Sequence, residues 1–348
     1  MRMTSPESCA GIRTHIREHV PGEKSQVLEY LTDMERHYAG HPCQREISDV
    51  IASLAIQSFS HTEFQTFISL VQNPDLIVEA VLGDVRSLLE ERNGTAAESA
   101  LSYILPYAEH PEEGDGKYLS FRDFIEYAYY ITWLSPEQDY KVHPYLNCDI
   151  LFQSGQLSAL NGDKEKARAI FTSLSVLSPV NDSILFARAD LCLEEGNLDE
   201  FRNLTIQCFE YAWNPDDLAH AYRNMGYYLT ETGDYTGAVT CYLMGTTWDD
   251  SPETARELAY IKEKSGTEPD VPAILSHGRE ILDERNIPFG PNPKIIELMV
   301  MYADECKQGG DFFEARKYLS RAKALELSDS LEREIEVIER FIEDNTIF

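Results

Sequence analysis

Basic residues are scarce in this sequence. Thirty lysines and arginines stand against 60 aspartates and glutamates, a formal charge of −30 over 348 residues. A field of that sign repels phosphate backbones and anionic lipid, so it argues against nucleic acid or a membrane surface as the partner and favours basic segments. Long apolar runs are missing too. No stretch approaches the roughly 20 residues of a membrane span, and the opening MRMTSPESCAGIRTHIREH lacks the apolar run of a secretory signal. The seven cysteines (Cys9, Cys43, Cys148, Cys192, Cys208, Cys241 and Cys306) are odd in number and never form CxxC. That usage points to reduced thiols in a cytoplasmic protein, with Cys192, Cys241 and Cys306 as small apolar fillers on helix-packing faces. No GxxxxGK[ST], GxGxxG or GxSxG stands in a strand-turn-helix setting, and no segment alternates as a strand does. In so acidic a chain the spacing of carboxylates says nothing about acid–base chemistry.

What the sequence has is helical periodicity, with 43% hydrophobic residues to bury. Gly22 to Tyr38 places Val27, Leu28, Leu31, Met34 and Tyr38 at helical spacing, one helix in a first segment spanning 1–44. Glu46 to Phe59 and Thr62 to Val71 read as a helical hairpin stopped by Asn73-Pro74. Leu76 to Arg92 and Ala96 to Ala108 read as a second, around Asn93-Gly94. These make a degenerate hairpin region over 45–145, broken by the polar run 111–116. Within it Ser120 and Asp123 open an aromatic-rich helix, FRDFIEYAYYITWL, whose rings are expected to be packing between layers; Tyr130 and Trp133 are the surplus ones.

The segment 146–348 is more regular. Its best-defined stretch, Ala219 to Pro252, reads as two short amphipathic helices around a Gly233-Asp234 turn. Tyr222, Met225, Gly226 and Leu229 share one face of the first, and Ala238, Tyr242 and Gly245 one face of the second. Gly226 and Gly245 remove side chains where backbones approach; Gly233 suits a left-handed helix end and Asp234 a cap. The pattern resembles the tetratricopeptide repeat, an aromatic, then Leu-Gly, then Tyr, followed by Ala, an aromatic and Pro over about 34 residues. Leu151, Gly155, the Gly162-Asp163 turn, Ala167, Phe171 and Pro179 match it in 148–181. Leu185, Ala189 and the Gly196-Asn197 turn match it in 182–215, with Phe201 where a small residue is expected. A degenerate unit follows over 253–287, then a stiff Pro-rich break, then 296–327 with Met299, Ala303, Gly310-Asp311, Ala315, Leu319 and Ala322 in register. The last segment carries Leu331, Ile335, Ile338 and Ile342 on one stripe, as a capping helix or a homodimer contact requires.

The resemblance implies an all-α, right-handed superhelical solenoid of antiparallel hairpins with a concave groove that binds a protein or peptide. Its groove positions fall here on Phe152 and Gln156, on Phe186 and Asp190, and on His220, Arg223, Asn224 and Tyr227. Family members that clamp a C-terminal carboxylate use lysines and asparagines; the matching positions here hold no lysine, so acidic tails are not expected as ligands. His15-Ile-Arg-Glu18-His19 formally matches HxxEH, which makes His15 and His19 metal candidates; His37 and His41 repeat the spacing, with Cys9 and Cys43 nearby. A protease body is missing from a chain given over to hairpins. The expectation is therefore a non-catalytic scaffold without cofactor, and the alternative a peptide-sensing domain of a regulatory system.

Overall fold

The structure, a computed structural model, describes residues 8–108, 117–134, 139–266, 270–326 and 328–345. The anticipated break at 111–116 lies outside them. The chain divides into two units: Met1–Ser120 with Lys141–Leu177, and Phe121–Tyr140 with Ser178–Phe348.

In the first unit, α1 (Cys9–Glu18), α2 (Lys24–His37), α3 (Gln44–Ser58), α4 (His61–Leu70), α5 (Pro74–Glu90) and α6 (Gly94–Ile104) are followed by strand β1 (Lys117–Leu119). The chain then contributes α7 (Phe124–Tyr129) to the second unit and returns through strand β2 (Tyr140–Val142) to α8 (Tyr145–Leu160) and α9 (Lys164–Leu177). Helix ends follow their side-chain caps. Ser60 and Glu63 form a reciprocal capping box at α4, Pro74 opens α5, and Asn93 accepts from Ala96 N at 3.3 Å to start α6. Phe64, Phe67, Ile47, Ile51, Val78 and Leu82 are buried between these helices. Buried Glu35 joins α2 to the turn before α5, accepting from Gln72 N at 2.8 Å and Asn73 N at 3.0 Å.

Three features of this unit differ from expectation. Residues 1–44 hold two helices rather than one; α1 buries only Ile12 and Ile16, two positions too few to show a period. β1 and β2 form a two-stranded ribbon, each strand too short for alternation to register. Cys9 and Cys43 are joined in a disulfide, Cα to Cα 5.5 Å, which ties α1 to the start of α3. The other five cysteines form no disulfide. Because disulfides persist in oxidising surroundings, cysteine usage no longer argues for a cytoplasmic site. Among the described residues no helix is long and apolar enough to cross a membrane.

The second unit is built of paired helices: α10 (Asp182–Glu194) with α11 (Leu198–Tyr211) and α12 (Pro215–Glu231) with α13 (Tyr235–Gly245), after which α14 (Pro252–Ser265) and the short α15 (Val271–Ser276) and α16 (Gly278–Asp283) each pack on α13. α17 (Pro293–Gly309) pairs with α18 (Phe312–Glu326), and α19 (Asp329–Asn345) packs on α18. Asp123 caps α7 through Ile125 N at 3.0 Å, and the chain then widens into a π-helical turn over Tyr130–Leu134, so the anticipated continuous helix starts later and changes pitch. Tyr130 is buried against Phe121 and Tyr140, and Trp133 packs on Tyr129 at 4.9 Å; both are packing rings.

Close approach explains the glycines. A Cβ on Gly226 would lie 2.8 Å from the ring of Tyr242, and one on Gly155 would lie 2.5 Å from Phe171. In both hairpins a glycine of the first helix seats an aromatic ring of the second, at the same sequence separation. Gly162, Gly196, Gly233 and Gly310 follow first helices with φ between +73° and +83°. On α19 Leu331, Ile335 and Ile338 are buried, while Val337 and Phe341 stay exposed.

Candidate functional site

The first helices of the second unit's leading hairpins, α10 and α12, are fixed at their N-terminal ends by a buried polar cluster. Arg122 stands at its centre. Its Nε meets Glu126 Oε1 at 2.5 Å, its Nη2 meets Asp182 Oδ1 at 2.5 Å, and its Nη1 donates to Ser183 Oγ at 2.6 Å. Trp213 Nε1 donates to Glu126 at 3.3 Å, and Arg321 reaches Asp123 at 2.8 Å across the face of Trp213. Asp182 opens α10. Asp217 sits in the first turn of α12, where Asn214 accepts from its N–H at 2.9 Å.

Burial raises the carboxyls of Glu126 and Asp182, and pushes Asp217 up to about 7 with the charge of Asp182 adding to it. Asp182 Oδ2 meets no donor unless Asp217 carries a proton. The two carboxyls therefore share one proton near neutrality, as close like charges do. The sequence hid this cluster because its members lie far apart along the chain and look like ordinary helix caps. The one local signal was an arginine and an acid four residues apart, at 122 and 126.

Six of the eight anticipated groove residues lie on these two helices. His220 stacks on Phe186, centroids 4.1 Å apart and planes at 11°. Burial, helped by the charge of Arg223, lowers the imidazole to about 4, so it is neutral at physiological pH. Asp190, one turn beyond Phe186, keeps an exposed surface yet is walled in by protein. That desolvation, with Glu194 nearby, pushes its carboxyl up to about 6. Arg223 is engaged within the unit, its Nη1 2.6 Å from Asp249 Oδ2. Asn224 Nδ2 is buried without an acceptor, and Tyr227 sets its ring edge-on to Phe201 at 6.2 Å. The other two residues belong to the first unit, where Phe152 packs against Phe171 at 5.5 Å and Gln156 is half-buried on α8.

This wall presents an exposed acid with the half-buried rings of His220 and Tyr227 beside it. It holds no free cation, since Arg223 already has its carboxylate. On α1, His15 and His19 lie one turn apart with rings 4.1 Å apart, and His19 Nδ1 is hydrogen-bonded to its own helix at His15 O. Among the described residues no group of three or more histidines, cysteines or acids gathers as metal ligands would. No protein-family model matches the chain, and no characterised protein matches it in sequence.

Proposed function

We propose that this protein is a non-catalytic binding module in which the α10–α12 wall holds a basic, partly apolar segment of a partner protein. The observation that carries the reading is the exposed, ionisable Asp190 beside the Phe186–His220 stack, on a chain with twice as many acids as bases. A lysine or arginine satisfies Asp190, and apolar side chains cover the half-buried rings of His220 and Tyr227. We read the hairpins themselves as degenerate tetratricopeptide repeats stacked with right-handed twist. The recurrent glycine–aromatic seats at Gly155–Phe171 and Gly226–Tyr242 support that assignment, as do the left-handed glycines at the hairpin turns.

The test is a charge reversal on the wall. Asp190→Lys should weaken a partner captured by the wild-type protein about tenfold while leaving the circular dichroism spectrum unchanged. Unchanged affinity would remove the wall from the binding surface.

A further inference from the structure

A second surface is lined by none of the wall residues. The helix that follows α14 is interrupted: where α11, α13 and α18 run for eleven residues or more, α15 and α16 are six residues each, meet at His277 and pack on α13. The stiff segment from Ile287 to Pro293 follows, and α17 finds its main neighbours in α18 and α7 instead of in the broken pair. One strip of α17 is partly uncovered: at helical spacing it carries Ile296, which is buried, Val300, which is half-buried, and Met301, which is 52% exposed. Across from it stand Met244 and Trp248 at the end of α13 and Phe289 of the stiff segment, enclosing a trough of about 870 Å³. Trp248 is held in place by a 2.8 Å hydrogen bond from Nε1 to Leu325 O and by stacking on Tyr222.

The charges on the rim choose the occupant. Glu297 and Glu326 line the trough and have no ion-pair partner among the described residues. Arg279, the one cation there, lies 4.2 Å over the ring of Phe289. Two unanswered carboxylates on an apolar floor, in a chain of charge −30, suit a cationic amphipathic ligand. The chain's own terminal helix α19 is rich in glutamate, so a second copy would bring like charges together. We propose that this trough binds a basic amphipathic helix of a partner protein. Its apolar stripe lies along Ile296, Val300 and Met301, and its lysines or arginines meet Glu297 and Glu326. The mode is helix-in-groove.

The test uses a fluorescein-labelled synthetic peptide of about 14 residues, leucine at helical spacing and lysine elsewhere. Binding to the full chain is followed by anisotropy at about 0.15 M salt, where long-range attraction is screened. Glu297→Lys with Glu326→Lys, and separately Met301→Asp, should each weaken binding about tenfold or more. Glu263→Lys with Glu343→Lys makes the same charge change on exposed positions elsewhere and should cost less than about twofold. The same titrations are repeated in the Asp190→Lys background, where the wall no longer takes a basic segment, so failure here and failure of the wall are separable. Equal losses in the two charge-reversed pairs would overturn the proposal. So would an unaffected Met301→Asp, or tighter binding of the same peptide with glutamate in place of lysine.

Discussion

Replacing Asp217 by asparagine should stabilise the second unit, and by an amount that grows with pH. Asp217 is held in the cluster with its carboxyl raised from an ordinary 3.8 to about 7. The folded state thus binds the proton more tightly than the unfolded chain. Acidification favours folding, and the penalty builds as pH rises above 3.8, levelling off above 7. At about 1.36 kcal/mol per pH unit the penalty is about 2 kcal/mol at about pH 5.5 and about 4 kcal/mol at about pH 8. The substitution removes the titration, and the new amide donates to Asp182 Oδ2 where the shared proton had been; Asn214 still accepts from the backbone N–H at this position. The stability gain of Asp217→Asn over wild type, measured by urea unfolding, should therefore increase by about 2 kcal/mol between about pH 5.5 and about pH 8. A difference that does not change with pH, or one that shrinks, would refute the shared-proton account. Using the difference between variants cancels the general repulsion of so acidic a chain.

Packing and the disulfide give further expectations. Gly226→Ala and Gly155→Ala force a Cβ into the rings of Tyr242 and Phe171, both buried, so each should destabilise by about 1–3 kcal/mol in denaturant titrations. Gly83→Ala meets nothing within 4 Å in the middle of α5 and should stabilise by about 1 kcal/mol. The Cys9–Cys43 bond closes a loop of 34 positions, so Cys9→Ser with Cys43→Ser should lower the stability of the first unit by about 3–4 kcal/mol. A thermal midpoint indifferent to both reductant and that double substitution would show that the bond does not form in solution.

Helical architecture was legible in the sequence because its determinants are local. Asn93, Asn197 and Asp234 cap helices two or three residues on, Gly162, Gly196 and Gly233 turn the chain, and Tyr222, Met225 and Leu229 are buried at the spacing that announced them. The groove positions came from the resemblance to the tetratricopeptide repeat, and six of the eight lie on α10 and α12. Legibility stopped where the decisive partner is distant. Nothing near Arg223 foretold that Asp249 would take its charge, and nothing near Cys9 foretold Cys43. The Arg122 cluster joins α7, α10 and α12, and the trough beside α17 gathers residues spread from Met244 to Glu326. A single arginine or a broken helix is visible in a sequence; what it meets across the fold is not.

Whether the α10–α12 wall grips a partner is tested most directly by a photo-crosslinkable benzoylphenylalanine in place of Tyr227. The expected result is one crosslinked partner segment carrying lysine or arginine beside apolar residues, lost when Asp190→Lys is combined with the probe. Crosslinks that persist at full yield with Asp190→Lys, or none at all in extracts where the same probe on α19 does capture protein, would contradict it.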